Sequence, residues 1–339
     1  MSIPRVTFFG SFLSASTGSV GPSESVSKDL AGKAVCALVS SHTNPFIRLF
    51  HNIASASFSK IDIAVLDVYS TKVVYQTAIV FCLLKARKVK TVAVFHGGGI
   101  INEWNSKNNL FKLFLKHADV VTAPSKRMSS FALSKGHKVQ YLPNPIDLGV
   151  FAGIPQKGNL NYKLLWVRAF SDIYNPDIAI RTLALLKSNF PELQLTMVGP
   201  DKGLRHKSEK LVRRLNLRDS VHFVGPVPNK DLIRFYQSHT VFLNTTSFES
   251  FGTAVAEAAA TALPIVSSKV GELPYIWEHR QNILFVDQLD AENFAKQVRV
   301  VLENDCLARE MGVAAAKRVQ EFESSKIIAQ WIALFDELS

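Results

Sequence analysis

Along the first half of the chain, short apolar and β-branched runs alternate with stretches of helical spacing. Arg5–Gly10, Ala34–Ser40, Ile61–Val68, Thr91–His96 and Asp119–Ala123 are bounded by turn residues and predict strands. Between them, Pro22–Ala31, Pro45–Phe58, Thr71–Arg87, Glu103–His117 and Ser125–Lys135 predict helices. Alternation of this kind predicts βαβ units around a parallel sheet covered on both faces. Pro143-Asn144-Pro145-Ile146-Asp147, with Gly149 and Gly153 after it, breaks the pattern and predicts a linker. A second series follows, with strands at Lys163–Val167, Leu193–Val198, Ser220–Val224, Thr240–Asn244, Leu263–Ser267 and Asn282–Val286. Its helices fall at Pro176–Ser188, Leu204–Leu215, Lys230–Tyr236, Thr253–Ala262 and Asp290–Glu303, and a helical tail runs from Leu307 to Leu338 with a break near Phe322. The expected fold class is therefore α/β, with two similar halves, residues 1–150 and 160–321, facing each other across a cleft. Ligands of such sheets bind beyond the carboxyl ends of the strands.

One stretch concentrates the chemistry. Phe248 to Pro264 reads FESFGTAVAEAAATALP, a turn holding Gly252 followed by an alanine-rich helix. A helix start leaves backbone N–H groups unpaired and partly positive, so the amides of Phe251, Gly252 and Thr253 are candidates to hold an anion. Glu257 stands alone among alanines on a helix whose small residues imply close packing on every side. A carboxylate so placed needs a partner, and a pair of ligand hydroxyls would serve. The plainer alternatives are that Glu249 merely stabilises the helix start and that Glu257 faces solvent.

Composition is that of an ordinary globular protein, 47% hydrophobic and 20% charged over 339 residues, enough for two domains with proper cores. Cys36, Cys82 and Cys306 are too few and too scattered for a metal site or disulfide framework and imply a reducing compartment. The opening MSIPRVTFFGSF reads as a first strand, and the apolar stretch Val73–Leu84 is too short to span a bilayer, so a cytoplasmic protein is expected. Charge changes the picture more. Residues 1–160 hold 18 Lys and Arg against 7 Asp and Glu, whereas residues 161–339 hold 21 of each. The whole net charge of +11 thus lies in the first half and calls for an anionic partner: nucleic acid, a membrane surface or an acidic substrate. Nucleic acid is not expected, because the basic residues fall in no recognisable module. Lys107–His117 mixes lysines with Leu110, Phe111, Phe114 and Leu115; it is either an amphipathic helix packed on the sheet or a helix lying on an anionic membrane face.

Two glutamates, Glu249 and Glu257, with seven residues between them around Phe-Gly, then Pro264-Ile265-Val266 and Gly271-Glu272-Leu273-Pro274, resemble the signature of the retaining glycosyltransferases of family 4, the glycosyl transferases group 1. Phe95-His96-Gly97-Gly98, Ala123-Pro124-Ser125, Leu142-Pro143-Asn144-Pro145-Ile146-Asp147, Leu195–Gly199 and Val221-His222-Phe223-Val224-Gly225 resemble further family motifs in the same order. The resemblance covers nearly all of the second half and is patchier before His96. It implies a GT-B fold: two Rossmann-like domains, the first taking a glycan or lipid-linked acceptor, the second a UDP- or GDP-sugar donor, with the terminal helix, about 324–339, returning to the first. By the same resemblance Glu249 contacts the donor sugar, Glu257 holds ribose hydroxyls, Arg168 neutralises the diphosphate leaving group and His96 stands beside the reacting sugar. The leaving diphosphate takes the acceptor's proton, so no protein base is needed. No Asp-x-Asp lies on a suitable loop, and neither a metal ion nor a separate cofactor is expected.

The chain departs from the family at the second diphosphate cation. No lysine follows Arg168 in Ala169–Pro176; Asn175, Lys202 and Lys269 are the candidate replacements. Pro274-Tyr275 stands for the family's Pro-Glu. The loop from Ser14 to Pro22, with Gly18 and Gly21, is a weaker candidate phosphate cradle, since it lacks both a P-loop lysine and a clean GxGxxG pattern. A non-transferase GT-B enzyme, an epimerase or a phosphorylase, is the alternative class.

Overall fold

The computed structural model describes residues 4–12, 21–69, 73–96, 99–102, 104, 110–151 and 162–339. The chain divides into two compact units, Met1–Pro145 with Phe322–Ser339, and Ile146–Glu321.

The first unit runs β1 (Arg5–Phe9), α1 (Pro22–Asp29), β2 (Val35–Val39), α2 (Pro45–Phe58), β3 (Ile63–Tyr69), α3 (Val73–Ala86), β4 (Lys90–His96), α4 (Gly99–Asn102), α5 (Phe111–His117), β5 (Val120–Ala123), α6 (Lys126–Ser134) and β6 (Gln140–Tyr141). Its six strands are parallel in the order β2-β1-β3-β4-β5-β6. β3, IAVLDVY, is buried over its first six residues, as a strand covered on both faces must be. Asn44 accepts from the amides of Phe46 and Ile47 and, with Pro45 at the first helical position, sets the start of α2.

The second unit runs α7 (Leu148–Phe151), β7 (Lys163–Val167), a 3-10 turn (Asp172–Tyr174), α8 (Pro176–Leu186), β8 (Gln194–Val198), α9 (Arg205–Arg214), β9 (Val221–Gly225), α10 (Asn229–Ser238), β10 (Val241–Asn244), α11 (Thr253–Ala260), β11 (Ile265–Ser268), α12 (Leu273–Ile276), β12 (Leu284–Val286), α13 (Ala291–Glu303) and α14 (Asp305–Val319). The parallel order is β12-β11-β10-β7-β8-β9, so the connectivity reverses direction between β7 and β10. In the first sheet it reverses between β1 and β3. Such reversals splay the following loops apart and open a crevice at the carboxyl ends.

The chain closes with α15 (Ser324–Leu338), after a 3-10 turn at Gln320–Phe322 that supplies the expected break. α15 buries Ile327, Ile328, Trp331, Leu334 and Phe335 against Val6, Phe8, Ile63 and Val92 of the first sheet, and Ser324 donates to Asp29 at the end of α1. The terminal helix therefore returns to the first unit.

Two expectations change. Of the helix expected over Glu103–His117, the described part is α5, while α4 precedes that span and residues 103 and 105–109 lie outside the described set. And α5 spends its apolar face on the core: Phe111 and Phe114 are buried, and Leu110, Leu113 and Leu115 pack beside them. That is the packed amphipathic helix rather than a membrane-lying one. No helix among the described residues is long and apolar enough to cross a membrane.

Candidate active site

In the second unit the sequence candidates gather at the switch between β7 and β10. Arg168 follows β7, and its side chain turns back over the sheet. Nη2 donates to Glu249 Oε2 at 2.7 Å and to Asn244 Oδ1 at 3.0 Å, and Nε donates to the same Asn244 oxygen at 3.2 Å. The guanidinium lies 5.4 Å from the ring centre of Tyr174. With side chains only 10% and 13% exposed, Arg168 and Glu249 form a largely desolvated ion pair. Arg168 is thus no solvated strand-end arginine.

Two glycines fix the backbone of this pair. Gly199, at φ +144°, lies so close that a Cβ there would come within 1.9 Å of the Arg168 carbonyl oxygen. Gly271, at φ +59°, stands in the same relation to the Glu249 carbonyl, again at 1.9 Å. That carbonyl accepts from the Glu272 amide at 2.9 Å, so the Gly271–Pro274 turn positions Glu249. Gly252 adopts φ +90° and opens α11 without a side-chain cap, leaving Phe251 buried and Thr253 exposed at the first helical position.

Asn175 is corrected. It is the left-handed residue before α8, φ 45°, and its amide nitrogen donates to the Thr245 carbonyl and to Ser247 Oγ, both at 2.8 Å. Both amide hydrogens are spent lashing the loop after β10 to the 3-10 turn, which leaves none for a diphosphate. Of the other candidate cations, Lys269 pairs with Asp287 at 3.2 Å and Lys202 is exposed.

Glu257 is buried, as the alanine pattern implied, but it is not alone. Asn229 Nδ2 donates to Oε1 at 3.0 Å and the Tyr236 hydroxyl to Oε2 at 2.8 Å. Desolvation raises the Glu257 carboxyl above the usual carboxylate range, opposed by those two hydrogen bonds and by Arg168. The Tyr236 phenol is raised by burial and by Glu257 beside it.

In the first unit, His96 ends β4 and is buried. Its Nε2 lies 2.8 Å from Asp67 Oδ1 on β3, and its ring stacks on Tyr69 at 4.9 Å. Asp67 Oδ1 also accepts from Ser23 Oγ at 2.6 Å. Burial, with Asp67 and Glu24 nearby, raises the Tyr69 phenol. Gly21 is corrected as well: its amide donates to the Glu24 carboxylate at 2.8 Å at the start of α1, so it is not held open for a phosphate. Gly18, Gly97 and Gly98 lie outside the described residues. Asp67 escaped the sequence reading, although a single carboxylate inside an otherwise apolar strand was a readable signal. Asn229 and Tyr236 carried none, since only the fold brings α10 against α11. Among the described residues no group of three or more His, Cys, Asp and Glu gathers as around a metal ion.

Residues 154–318, nearly all of the second unit, match the family model of the glycosyl transferases group 1. Over 210 residues the chain is 29% identical to a D-inositol 3-phosphate glycosyltransferase of Nocardioides, covering 55% of this chain and 45% of that protein. Over 265 residues it is 26% identical to the N-acetyl-alpha-D-glucosaminyl L-malate synthase of Bacillus anthracis, covering 73% and 68%. The chain spans less than half the length of the inositol phosphate relatives it matches. Sucrose-phosphate synthase of Thermosynechococcus elongatus superposes with a TM-score of 0.82 at 18% identity, over 99% of both chains. Anabaena HepE, in complex with UDP and glucose, does so with 0.80 at 17%, over 99% of this chain and 100% of that one. The fold is GT-B, two Rossmann-like units with parallel sheets.

Proposed function

We propose that the protein is a retaining glycosyltransferase that moves a sugar from a nucleotide diphosphate sugar to a hydroxyl of its acceptor. The observation that carries the reading is the desolvated Arg168–Glu249 pair at the β7/β10 switch, beside the uncapped start of α11. A fixed cation beside a helix start without a side-chain cap suits the charge that develops on a departing diphosphate. Arg168 takes that role, with the amides of Phe251, Gly252 and Thr253. Glu249 orients the guanidinium and meets the donor sugar. Glu257 takes the ribose hydroxyls on the lone pairs that Asn229 and Tyr236 leave open. The departing diphosphate accepts the acceptor's proton, so no protein base is required at the anomeric carbon.

The second unit binds the donor and the first the acceptor, with His96 on the reacting side of the first. The relatives named above act, by their names, on inositol 3-phosphate and L-malate, which are both hydroxylated anions. An acceptor of that chemistry, free or carried on a glycan or lipid, suits the +11 charge of the first half. For a lipid-borne acceptor, the apolar contact with an anionic membrane falls to α2, whose Phe46, Phe50 and Phe58 are 83%, 76% and 87% exposed. Nothing in the site favours an epimerase or a phosphorylase. The test is release of nucleoside diphosphate from UDP- and GDP-sugars, with and without glycerol 3-phosphate or L-malate, followed by the anomeric configuration of the product. Acceptor-dependent release with retention supports the reading; a converted sugar without release refutes it.

A further inference from the structure

β10 ends on a polar residue after three apolar ones. Val241, Phe242 and Leu243 are fully buried, and so is Asn244. An amide sealed in a sheet costs stability unless its hydrogen-bonding groups are met, and an apolar side chain would continue the strand without that cost. Both ends of this amide are met. Oδ1 accepts twice from Arg168, from Nε at 3.2 Å and from Nη2 at 3.0 Å. Nδ2 donates at 2.9 Å to Ser267 Oγ, directly opposite on β11. Ser267 is itself fully buried, and its hydroxyl donates to the Ser268 carbonyl at 3.0 Å. That spends the hydroxyl's one hydrogen, so its oxygen accepts from Asn244, while a guanidinium can only donate. The two neighbours together fix which way round the amide stands.

The consequence falls on Arg168. A guanidinium has five N–H donors. Nε spends its one on Asn244, and Nη2 spends its two on Asn244 and Glu249. One face of the group lies over Tyr174. The two N–H that remain are both on Nη1, and no described residue accepts from them. The side chain keeps 10% of its surface open, and Nη1, unlike Arg48 Nε on the inward face of α2, is not sealed from solvent. An aspartate at 244 would accept the same two bonds but set a second negative charge beside Glu249. A neutral oxygen orients the cation and leaves its charge in place. With no lysine following Arg168 in Ala169–Pro176 and Asn175 spent elsewhere, the aim of this guanidinium matters more.

We infer that Asn244, braced by Ser267, is a positioning residue for Arg168: it turns Nη1 and its two N–H groups toward the phosphate that departs from the donor sugar. The inference rests on the glycosyl-transfer reading and adds to it the residues that aim the cation.

Titration calorimetry of the full chain with UDP, UMP, GDP and GMP tests it. The base that binds supplies a diphosphate and a monophosphate, and the ratio of their affinities reads the contact with the terminal phosphate. Asn244→Ala should lower that ratio about tenfold and leave monophosphate affinity unchanged. Ser267→Ala keeps the asparagine and removes only its brace, so it should lower the ratio about threefold, and it carries the test if Asn244→Ala does not fold. Arg168→Ala should lower the ratio at least as far as Asn244→Ala, and the double variant no further, since an absent guanidinium cannot be aimed. Initial rates should follow, with kcat falling in Asn244→Ala while KM for the acceptor stays. Three results would each overturn the inference and confine Asn244 to bracing the sheet: both affinities falling together, a ratio unchanged in Asn244→Ala and Ser267→Ala, or single losses that multiply in the double variant. A wild type that binds neither diphosphate better than its monophosphate would overturn it together with the leaving-group role of Arg168. A wild type that shows the ratio and its dependence on Asn244 but transfers no sugar supports the positioning and counts against glycosyl transfer.

Discussion

Replacing Arg168 with alanine would strand Glu249, a carboxylate only 13% exposed, beside Asn244, whose side-chain oxygen would lose both guanidinium contacts. Breaking a buried pair from one side costs about 3–5 kcal/mol. The residual exposure of this pair lets water relieve part of that, so we expect about 3 kcal/mol for Arg168→Ala and about 2–3 kcal/mol for Glu249→Ala. If the two losses have one cause, the double variant should lose about 3 kcal/mol rather than the sum, a coupling of about 2–3 kcal/mol. Equilibrium urea unfolding of wild type, both single variants and the double variant measures it. Initial rates on the same four proteins separate structure from chemistry. The double variant should recover stability per substitution but not turnover, because the leaving diphosphate still lacks its cation. Additive losses within about 0.5 kcal/mol would refute the coupling, and turnover returning with stability would confine Arg168 to a structural role.

Glu257→Ala should weaken UDP-sugar binding by about 1–3 kcal/mol, read by titration; wild-type affinity in a folded variant would remove the ribose role. His239 gives a pH signature: Nδ1–H donates to the Phe235 carbonyl at 2.6 Å and Nε2 accepts from Thr196 Oγ1 at 2.8 Å, an arrangement made for the neutral ring. Burial lowers its pKa to about 4, so its contribution is complete above the unfolded value of about 6.5 and drains away as pH falls toward 4, by at most about 3 kcal/mol. Stability measured from pH 7 to 4 should flatten in His239→Gln, and an unchanged slope would exclude His239 as the cause. Anionic vesicles should sediment the wild type at low salt, and Phe46→Ser with Phe50→Ser should abolish this; equal sedimentation of both proteins would move the contact off α2.

The α/β alternation was legible because parallel strands buried on both faces, such as Ile63–Tyr69, must be apolar throughout, and proline and glycine mark their ends. Glu257 was legible as a lone carboxylate among alanines, whereas Arg168 and Glu249 stood out only through the family resemblance. Their partners were not. Asn244 ends a strand 76 residues from Arg168, and Tyr236 is 21 residues from Glu257 on another helix, separations that no local pattern spans. Asn175 and Gly21 misled for the opposite reason: each lies where a ligand contact was plausible, but nearby backbone and side-chain groups claim its hydrogen-bonding capacity first. The inward Arg48 was hidden because α2, with its phenylalanines, reads as an ordinary apolar helix until its burial is known.

The glycines at 199 and 271 narrow how this site can change. Each touches the carbonyl of one member of the Arg168–Glu249 pair, and ordinary contact begins near 3.4 Å where an added methyl would sit at 1.9 Å. Any other residue would therefore push one partner by about 1.5 Å, a misplacement large enough to cost on the order of a hundredfold in rate. Mutational drift through either position is a single forbidden step, whatever the side chain. The charge pair of the second unit is thus held in place by two hydrogen atoms, one on each glycine.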